Sequence, residues 1–226
     1  MNAVTTNQRS LRTNGHYEPT VTTNQLRSIV YDYRRMTPEQ RMAVVESRRA
    51  RGFPWHKPPH PNLGPGWYFI TAATFEHRMH FQKSNELSAL ESRLLDALRQ
   101  ANFTCGGWVV LPNHYHMLVQ APSAAKIGKA LGPVHGRSAH YANRRDNTTR
   151  RQVWYKLSDR KIRSERHYWT CLHYIVFNPV KHGHVAQMVD WPWSCVHHVL
   201  AEHGIDWLTD LRHEYPLRNF GRGWDD

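Results

Sequence analysis

Hydrophobic residues recur at two different periods along this chain, and the period predicts which segments are strands and which are helices. The aromatic and β-branched segment from Trp67 to Phe75 is typical of a strand. Two short apolar runs, Trp108–Leu111 and Tyr115–Val119, flank a Pro112-Asn113 turn and predict a β-hairpin. A further strand, interrupted by charged residues, is predicted from Val153 to Ile162.

Leucines at spacings of three and four predict a helix that Ser84 or Asn85 caps; they are Leu87, Leu90, Leu94 and Leu98. A second helix is predicted from Ala124 to Arg145, although it contains Pro133 and three glycines. In order these elements are β-α-β-β-α-β. That order is typical of an α+β, ferredoxin-like fold, an antiparallel sheet with helices on one face.

A third helix should begin at Ser164 or Arg166. Its buried stripe comprises Tyr168, Trp169, Leu172, Ile175 and Val176. Tyr174 and Asn178 are four residues apart, so they share another side of this helix. Pro179 lacks an N–H group and is predicted to end the helix.

The N-terminal part has a different composition. Residues 1–36 are rich in Thr, Asn and Arg and predict an arm that is disordered unless bound. Thr37, Pro38 and Gln40 form a helix-start signature for a short basic helix reaching about Arg51, before a Pro-rich linker. The predicted layout is an arm and linker (1–65), a compact domain (66–200) and a C-terminal tail (201–226).

Charge is concentrated rather than spread evenly. The formal net charge is +12, with +9 on residues 126–166 and −4 on residues 184–226. Such an asymmetry favours a polyanionic partner. The predicted phosphate-contacting residues are Arg144, Arg145, Arg150, Arg151, Lys156, Arg160, Lys161, Arg163 and Arg166. The alternatives are a solvated basic face, or an N-terminal arm whose arginines supply most of the electrostatic attraction.

The spacing of the cysteines and the lengths of the apolar runs predict the cellular compartment. Its three cysteines are widely spaced and predict reduced thiols, and no apolar run approaches the length of a membrane span. A cytoplasmic protein, nucleoid-associated when bound to DNA and with no membrane partner, is therefore expected.

A His-x-His motif is the first candidate for chemistry. Side chains alternate across a strand, so His114 and His116 should point to the same face beside the turn. Two imidazoles placed this way can hold one divalent cation. The alternative is a pair of partly exposed histidines on a solvated strand face.

Three motifs together resemble the REP-associated tyrosine transposases, relatives of the single-tyrosine HUH transposases. They are Trp108-Val-Val-Leu-Pro-Asn-His-Tyr-His, Tyr174-Ile-Val-Phe-Asn-Pro-Val-Lys-His-Gly and Asp190-Trp-Pro-Trp-Ser. The resemblance implies a nuclease and strand transferase that cuts single-stranded DNA beside REP-type hairpins. It implies Tyr174 as the nucleophile of a 5′-phosphotyrosine intermediate, and His114, His116 and Asn178 as ligands of Mg²⁺ or Mn²⁺. Whether the protein is a monomer or a homodimer stays open.

Several alternatives remain at this stage. Tyr174 could be activated by the metal or by a base such as His167 or His173. Competing nucleophiles are Tyr115, Tyr141, Tyr155, Tyr168 and Cys171, which are more typical of packing or base stacking. The alternative functions are a non-catalytic hairpin-binding protein and, less well supported, a metal hydrolase acting on small molecules.

Overall fold

The computed structural model describes residues 37–40, 42, 43, 46 and 64–221. The predicted arm, most of the linker and the end of the short basic helix lie outside the described residues. The start of that helix is confirmed. Thr37 Oγ1 accepts a hydrogen bond from the Gln40 N–H (3.3 Å), and Gln40 Oε1 accepts one from the Thr37 N–H (2.9 Å). This reciprocal pair is a capping box.

Four antiparallel strands form one sheet in the order β2-β3-β1-β4. The strands are β1 (Gly66–Ala73), β2 (Thr104–Val110), β3 (His114–Ala121) and β4 (Ser158–Lys161). With the two helices described next, they confirm the predicted ferredoxin-like arrangement.

The fourth strand is shorter than predicted, because it begins only at Ser158. Val153 and Trp154 are both buried, although consecutive residues of a strand point to opposite faces. Trp154 instead donates its indole N–H to Ser138 Oγ at 2.9 Å. The segment before Ser158 therefore packs against a helix and meets the end of β1 through an isolated bridge between Thr74 and Trp154 and a hydrogen bond from the Tyr155 N–H to the Ala73 carbonyl.

Helices α1 (Ser84–Gln100) and α2 (Ala124–Arg145) contact each other and cover one face of the sheet. The predicted leucine stripe of α1 is buried. The predicted cap is wrong by one residue: Lys83 is the N-cap, because its backbone N–H donates to the Glu86 carboxylate at 3.1 Å.

Helix α3 (Glu165–Lys181) covers the opposite face, here called the site face. Ser164 caps it as predicted, with its Oγ accepting from the His167 N–H at 3.1 Å. Pro179 does not end the helix, because it costs a single backbone hydrogen bond within it. The helix ends at Lys181, and Gly183 follows its cap residue His182 with a φ of +69°, which suits glycine. There the N–H groups of Gly183 and His184 bond back to Val180 and Pro179.

The chain continues through α4 (Val196–His203) and α5 (Ile205–Glu214), and α5 packs against α3. The predicted tail thus contains a helix that contacts the third helix of the core. The domain boundaries at 65 and 200 stay predictions. In the described part of the chain, no helix is both long and apolar enough to cross a membrane.

A histidine is packed into the α2 side of the core. Tyr115 Oη and His135 Nε2 lie 2.8 Å apart, and the His135 ring stacks on Trp154 with 4.5 Å between centroids. Burial lowers the pKa of His135 to about 4. His135 is therefore neutral in the folded protein at neutral pH.

We expect His135→Gln to reduce the acid sensitivity of folding. The unfolded His135 binds a proton below pH ~6.5, whereas the folded one resists protonation down to pH about 4. The free energy of unfolding therefore decreases as pH falls through this window. We expect a decrease of roughly 1–3 kcal/mol, a value reduced for solvent screening because the ring is partly exposed. Urea unfolding at pH 7 and pH 4.5 measures it, with exposed His140→Gln as the matched control. An acid-dependent loss equal to wild type in His135→Gln would contradict this assignment.

Candidate functional site

The two histidines of the motif lie on the site face at the start of β3. His114 is 1% exposed and His116 is 0% exposed, and their ring centroids are 5.1 Å apart. Thr71 lies across from His116 in β1, and its hydroxyl is 2.8 Å from His116 Nδ1. Both imidazoles are therefore buried and held in place, not solvated on an open strand.

Asn113, in the hairpin turn, fixes the chemistry of His114. Its Nδ2 donates to the His77 carbonyl at 3.2 Å, so its Oδ1 faces His114 Nδ1 at 2.7 Å. An amide oxygen can only accept, so Nδ1 must carry the proton. A neutral His114 then presents the lone pair of Nε2, as a metal ligand requires. The sequence marked Asn113 only as a turn residue.

The lone pair of His114 points at Asn178 on α3. His114 Nε2 and Asn178 Oδ1 are 3.0 Å apart, and both atoms are acceptors. Asn178 is 0% exposed, and its Nδ2 has no hydrogen-bond partner among the described residues. With the amide turned over, Nδ2 would donate to His114 Nε2, and Oδ1 would be the atom left without a partner. Either orientation leaves a buried polar atom unsatisfied, which costs about 1–3 kcal/mol.

A divalent cation fits this arrangement. Two ligands of one ion at about 2.1 Å from it, at right angles, lie about 3 Å apart, which matches the 3.0 Å between His114 Nε2 and Asn178 Oδ1. Within the described residues no group of three or more His, Cys, Asp or Glu could hold a metal ion. A site here would thus consist of two imidazoles and one amide, which leaves positions for substrate oxygens and water.

Tyr174 lies beside the histidines on the same helix as Asn178. It is 0% exposed, and its ring packs edge-on against His116 with 5.2 Å between centroids. Its hydroxyl accepts a hydrogen bond from Lys181 Nζ at 2.8 Å. The two bases weighed for Tyr174 have other contacts: His173 Nδ1 is 2.8 Å from the Tyr215 carbonyl, and His167 packs edge-on against Phe220.

Residues 215–221, here called the covering segment, lie over Tyr174. Phe220 packs on the Tyr174 ring with 5.5 Å between centroids, and the Gly221 carbonyl accepts from Lys181 Nζ at 3.0 Å. Gly221 has a φ of +74°, and a Cβ there would overlap the Tyr174 ring. The approach is so close that the fold requires glycine at this position. Sequence reasoning missed Lys181 and the covering segment.

The predicted phosphate-contacting residues fall into two groups. Arg145 is ion-paired with Glu86 and Asp146, and Arg151 with Asp146. These contacts raise the pKa of Arg145, and the hydrogen bonds from Arg145 and Arg151 hold the pKa of the Asp146 carboxyl well below its usual range. The exposed members are Arg144, Arg150, Lys156, Arg160, Arg163 and Arg166, and Lys161 is partly buried.

Arg160 lies on the same face of the sheet as the two histidines. It pairs with Phe69, whose ring stacks on His116 with 5.2 Å between centroids. Paired residues of adjacent strands share a face, so Arg160 is on the site face. Its charge lowers the pKa of His167, after the larger effect of burial. Trp154, which lies between the arginines in the sequence, is buried and stacks on Phe81.

The competing nucleophiles lie elsewhere or are unreactive. Tyr115 points to the α2 face, and Tyr168 packs edge-on against Trp67. Cys171 is buried, and burial raises its pKa to about 12, so its thiolate is scarce at neutral pH.

The sequence of this chain is similar to those of known transposases. Residues 67–158 match the family "Transposase IS200 like". The chain is 27% identical over 150 residues to the REP-associated tyrosine transposase of Escherichia coli K12, covering 66% of this chain and 87% of that protein. It is 28% identical over 143 residues to a putative REP-associated tyrosine transposase of Haemophilus influenzae, covering 58% and 80%.

The fold is also found among solved structures. A REP-associated tyrosine transposase bound to a REP hairpin superposes with a TM-score of 0.51 at 23% identity, over 64% of this chain and 85% of that one. At this identity the likeness establishes the fold.

Replacing Asn113 tests whether its hydrogen bond to His114 Nδ1 makes His114 a better metal ligand. Asn113→Leu removes the acceptor from His114 Nδ1 and should weaken Mn²⁺ binding by about 10- to 100-fold. Asn113→Asp keeps an acceptor and should bind Mn²⁺ as wild type does. Calorimetric titration with Mn²⁺ measures both, after circular dichroism has verified folding. Equal affinities for the Leu and Asp variants would contradict the assignment.

Proposed function

We propose that this chain, which is similar to REP-associated tyrosine transposases, is a metal-dependent endonuclease and strand transferase for single-stranded DNA at REP-type hairpins. The observation that carries the proposal is one buried cluster on the site face. It joins Tyr174 to the potential ligands His114, His116 and Asn178, from a strand and a helix about 60 residues apart.

The proposed chemistry is transesterification. The Tyr174 oxygen bonds to phosphorus, the bond to the 3′ oxygen breaks, and a 5′-phosphotyrosine and a 3′-hydroxyl result. The phenol loses a proton and the departing 3′ oxygen gains one. Because the phosphotyrosine conserves the ester bond, a 3′-hydroxyl can attack it later and rejoin DNA.

The remaining residues bind and orient. His114, His116 and Asn178 would hold a divalent ion, which supplies charge neutralisation at a nonbridging phosphate oxygen. Imidazole ligands favour Mn²⁺ over Mg²⁺, whereas cellular abundance favours Mg²⁺. Asn113 and Thr71 fix the two imidazoles, so that their geometry precedes substrate binding.

DNA must reach Tyr174 past the covering segment. The 0% exposure of Tyr174 means that residues 215–221 move before a phosphate can approach. Arg160 and the exposed arginines that follow it lie at the edge strand and the start of α3. Phosphate contacts there would position the backbone, without specifying its sequence.

A second candidate function is binding to REP-type hairpins without turnover. The covering segment favours it, because a buried nucleophile cannot act while the segment stays in place. The cluster of potential ligands around Tyr174 favours the enzyme, because binding alone requires neither a metal site nor a nucleophile.

The nucleophile is tested by Tyr174→Phe. The substitution removes the attacking oxygen while keeping the ring packed on His116 and Phe220. With labelled hairpin DNA and Mn²⁺, wild type should form a covalent adduct that survives denaturing electrophoresis, and the Phe variant none. Hairpin affinity should be unchanged. An adduct formed by Tyr174→Phe would rule out this nucleophile, and none from wild type would favour the binding-only function.

The DNA path is tested by the salt dependence of hairpin binding. Arg160→Ala should lower the slope of log K against log salt by about 0.7, the value for one single-strand phosphate contact. Arg99→Ala is the matched control, since Arg99 is 77% exposed and lies outside the proposed path. Fluorescence anisotropy between 50 and 300 mM salt, roughly the useful range for this effect, gives both slopes. Equal slopes for the two variants would remove Arg160 from the path.

A further inference from the structure

Lys181 is the second functional group at the Tyr174 oxygen. Its ammonium donates to Tyr174 Oη at 2.8 Å and to the Gly221 carbonyl at 3.0 Å, and lies 4.8 Å from the centroid of the Tyr174 ring. One cation thus touches the proposed nucleophilic atom and the covering segment. Lys181 could therefore act on the Tyr174 oxygen during catalysis, or it could only anchor the covering segment, and the two roles make different predictions.

The contact with Tyr174 is built into helix α3. Lys181 follows Tyr174 by seven residues, and seven residues at 100° each bring a side chain back to within about 20° of the starting direction. Both residues lie inside α3, because the helix continues through Pro179 to Lys181. The two side chains therefore stay adjacent when the covering segment leaves, whereas the bond to Gly221 is lost.

We propose that Lys181 is a catalytic residue, whose ammonium stabilises the negative charge on the Tyr174 oxygen during strand cleavage and rejoining. This inference rests on the proposed transesterification. In cleavage the Tyr174 oxygen bonds to phosphorus as the bond to the 3′ oxygen breaks. The phenol proton is released to water, and the 3′ oxygen takes up a proton. Lys181 stays an ammonium throughout.

Rejoining reverses these steps and makes Tyr174 the leaving group. The 3′-hydroxyl bonds to phosphorus, the bond to Tyr174 breaks, and charge returns to the phenol oxygen. The same hydrogen bond from Lys181 stabilises it. Lys181 should therefore speed both directions, because a catalyst acts on the transition state that they share. A donor aimed at a developing oxyanion contributes on the order of 10²-fold in rate.

Lys181→Met tests the proposal in the full-length protein. With hairpin DNA and Mn²⁺, single-turnover adduct formation should slow on the order of 10²-fold. Lys181→Arg, which restores a cationic donor, should recover most of the rate. Hairpin affinity should match wild type. Lys83→Met is the control for loss of one positive charge, since Lys83 is exposed at the start of α1.

A second substrate locates the action of Lys181. With sulfur in place of the 3′ oxygen, the leaving group needs no protonation. A residue that assists Tyr174 is still required, so Lys181→Met should remain about as defective on this substrate. Recovery to the wild-type rate would place Lys181 at the leaving group and overturn the proposal.

A purely anchoring role is separated by Phe220→Ala, which loosens the covering segment without touching Lys181. If Lys181 only anchors that segment, Phe220→Ala and Lys181→Met should each cleave at least as fast as wild type. That result would overturn the proposal. If it is catalytic, adding Lys181→Met to Phe220→Ala should again slow cleavage. Failure of the proposed function gives a different result, because wild type itself then forms no adduct through Tyr174.

Discussion

The polar side chains buried between β3 and α3 need hydrogen-bond or metal partners, and the surrounding structure depends on this requirement. A buried polar group is costly unless it is paired, and His114, His116 and Asn178 are almost fully buried. Asn113 Oδ1 accepts from His114 Nδ1, which leaves Nε2 as the His114 nitrogen that presents a lone pair, and the Thr71 hydroxyl engages His116 Nδ1. Asn178 Nδ2 has no hydrogen-bond partner among the described residues, and Asn178 Oδ1 faces the lone pair of His114 Nε2, a contact that a cation between the two atoms would relieve.

Helix α3 carries both Asn178 and Tyr174 to the buried histidines. Tyr174, Asn178 and Lys181 occupy successive turns on one side of it, so any movement of the helix displaces all three together. Its packing against Phe69 and His116 sets the position of Tyr174 relative to the imidazoles. One rigid element thus carries the attacking oxygen, a potential ligand and the cation that contacts the oxygen.

Local periodicity predicted the features that depend on local geometry. The two-residue repeat placed His114 and His116 on one face, and a four-residue spacing placed Tyr174 with Asn178. Lys181 was missed because Pro179 was taken as the helix end, although proline removes only one hydrogen bond there. Long-range contacts were out of reach: nothing local shows that Glu86 pairs with Arg145, or that residues 215–221 cover Tyr174.

We infer that a divalent ion completes the cluster of His114, His116 and Asn178. The most direct measurement is a crystal structure of the protein soaked in Mn²⁺, with diffraction collected at the manganese absorption edge. We expect one strong anomalous peak within about 2.3 Å of His114 Nε2, a ring nitrogen of His116 and Asn178 Oδ1. A peak elsewhere, or none at millimolar Mn²⁺ with the three side chains in place, would contradict it.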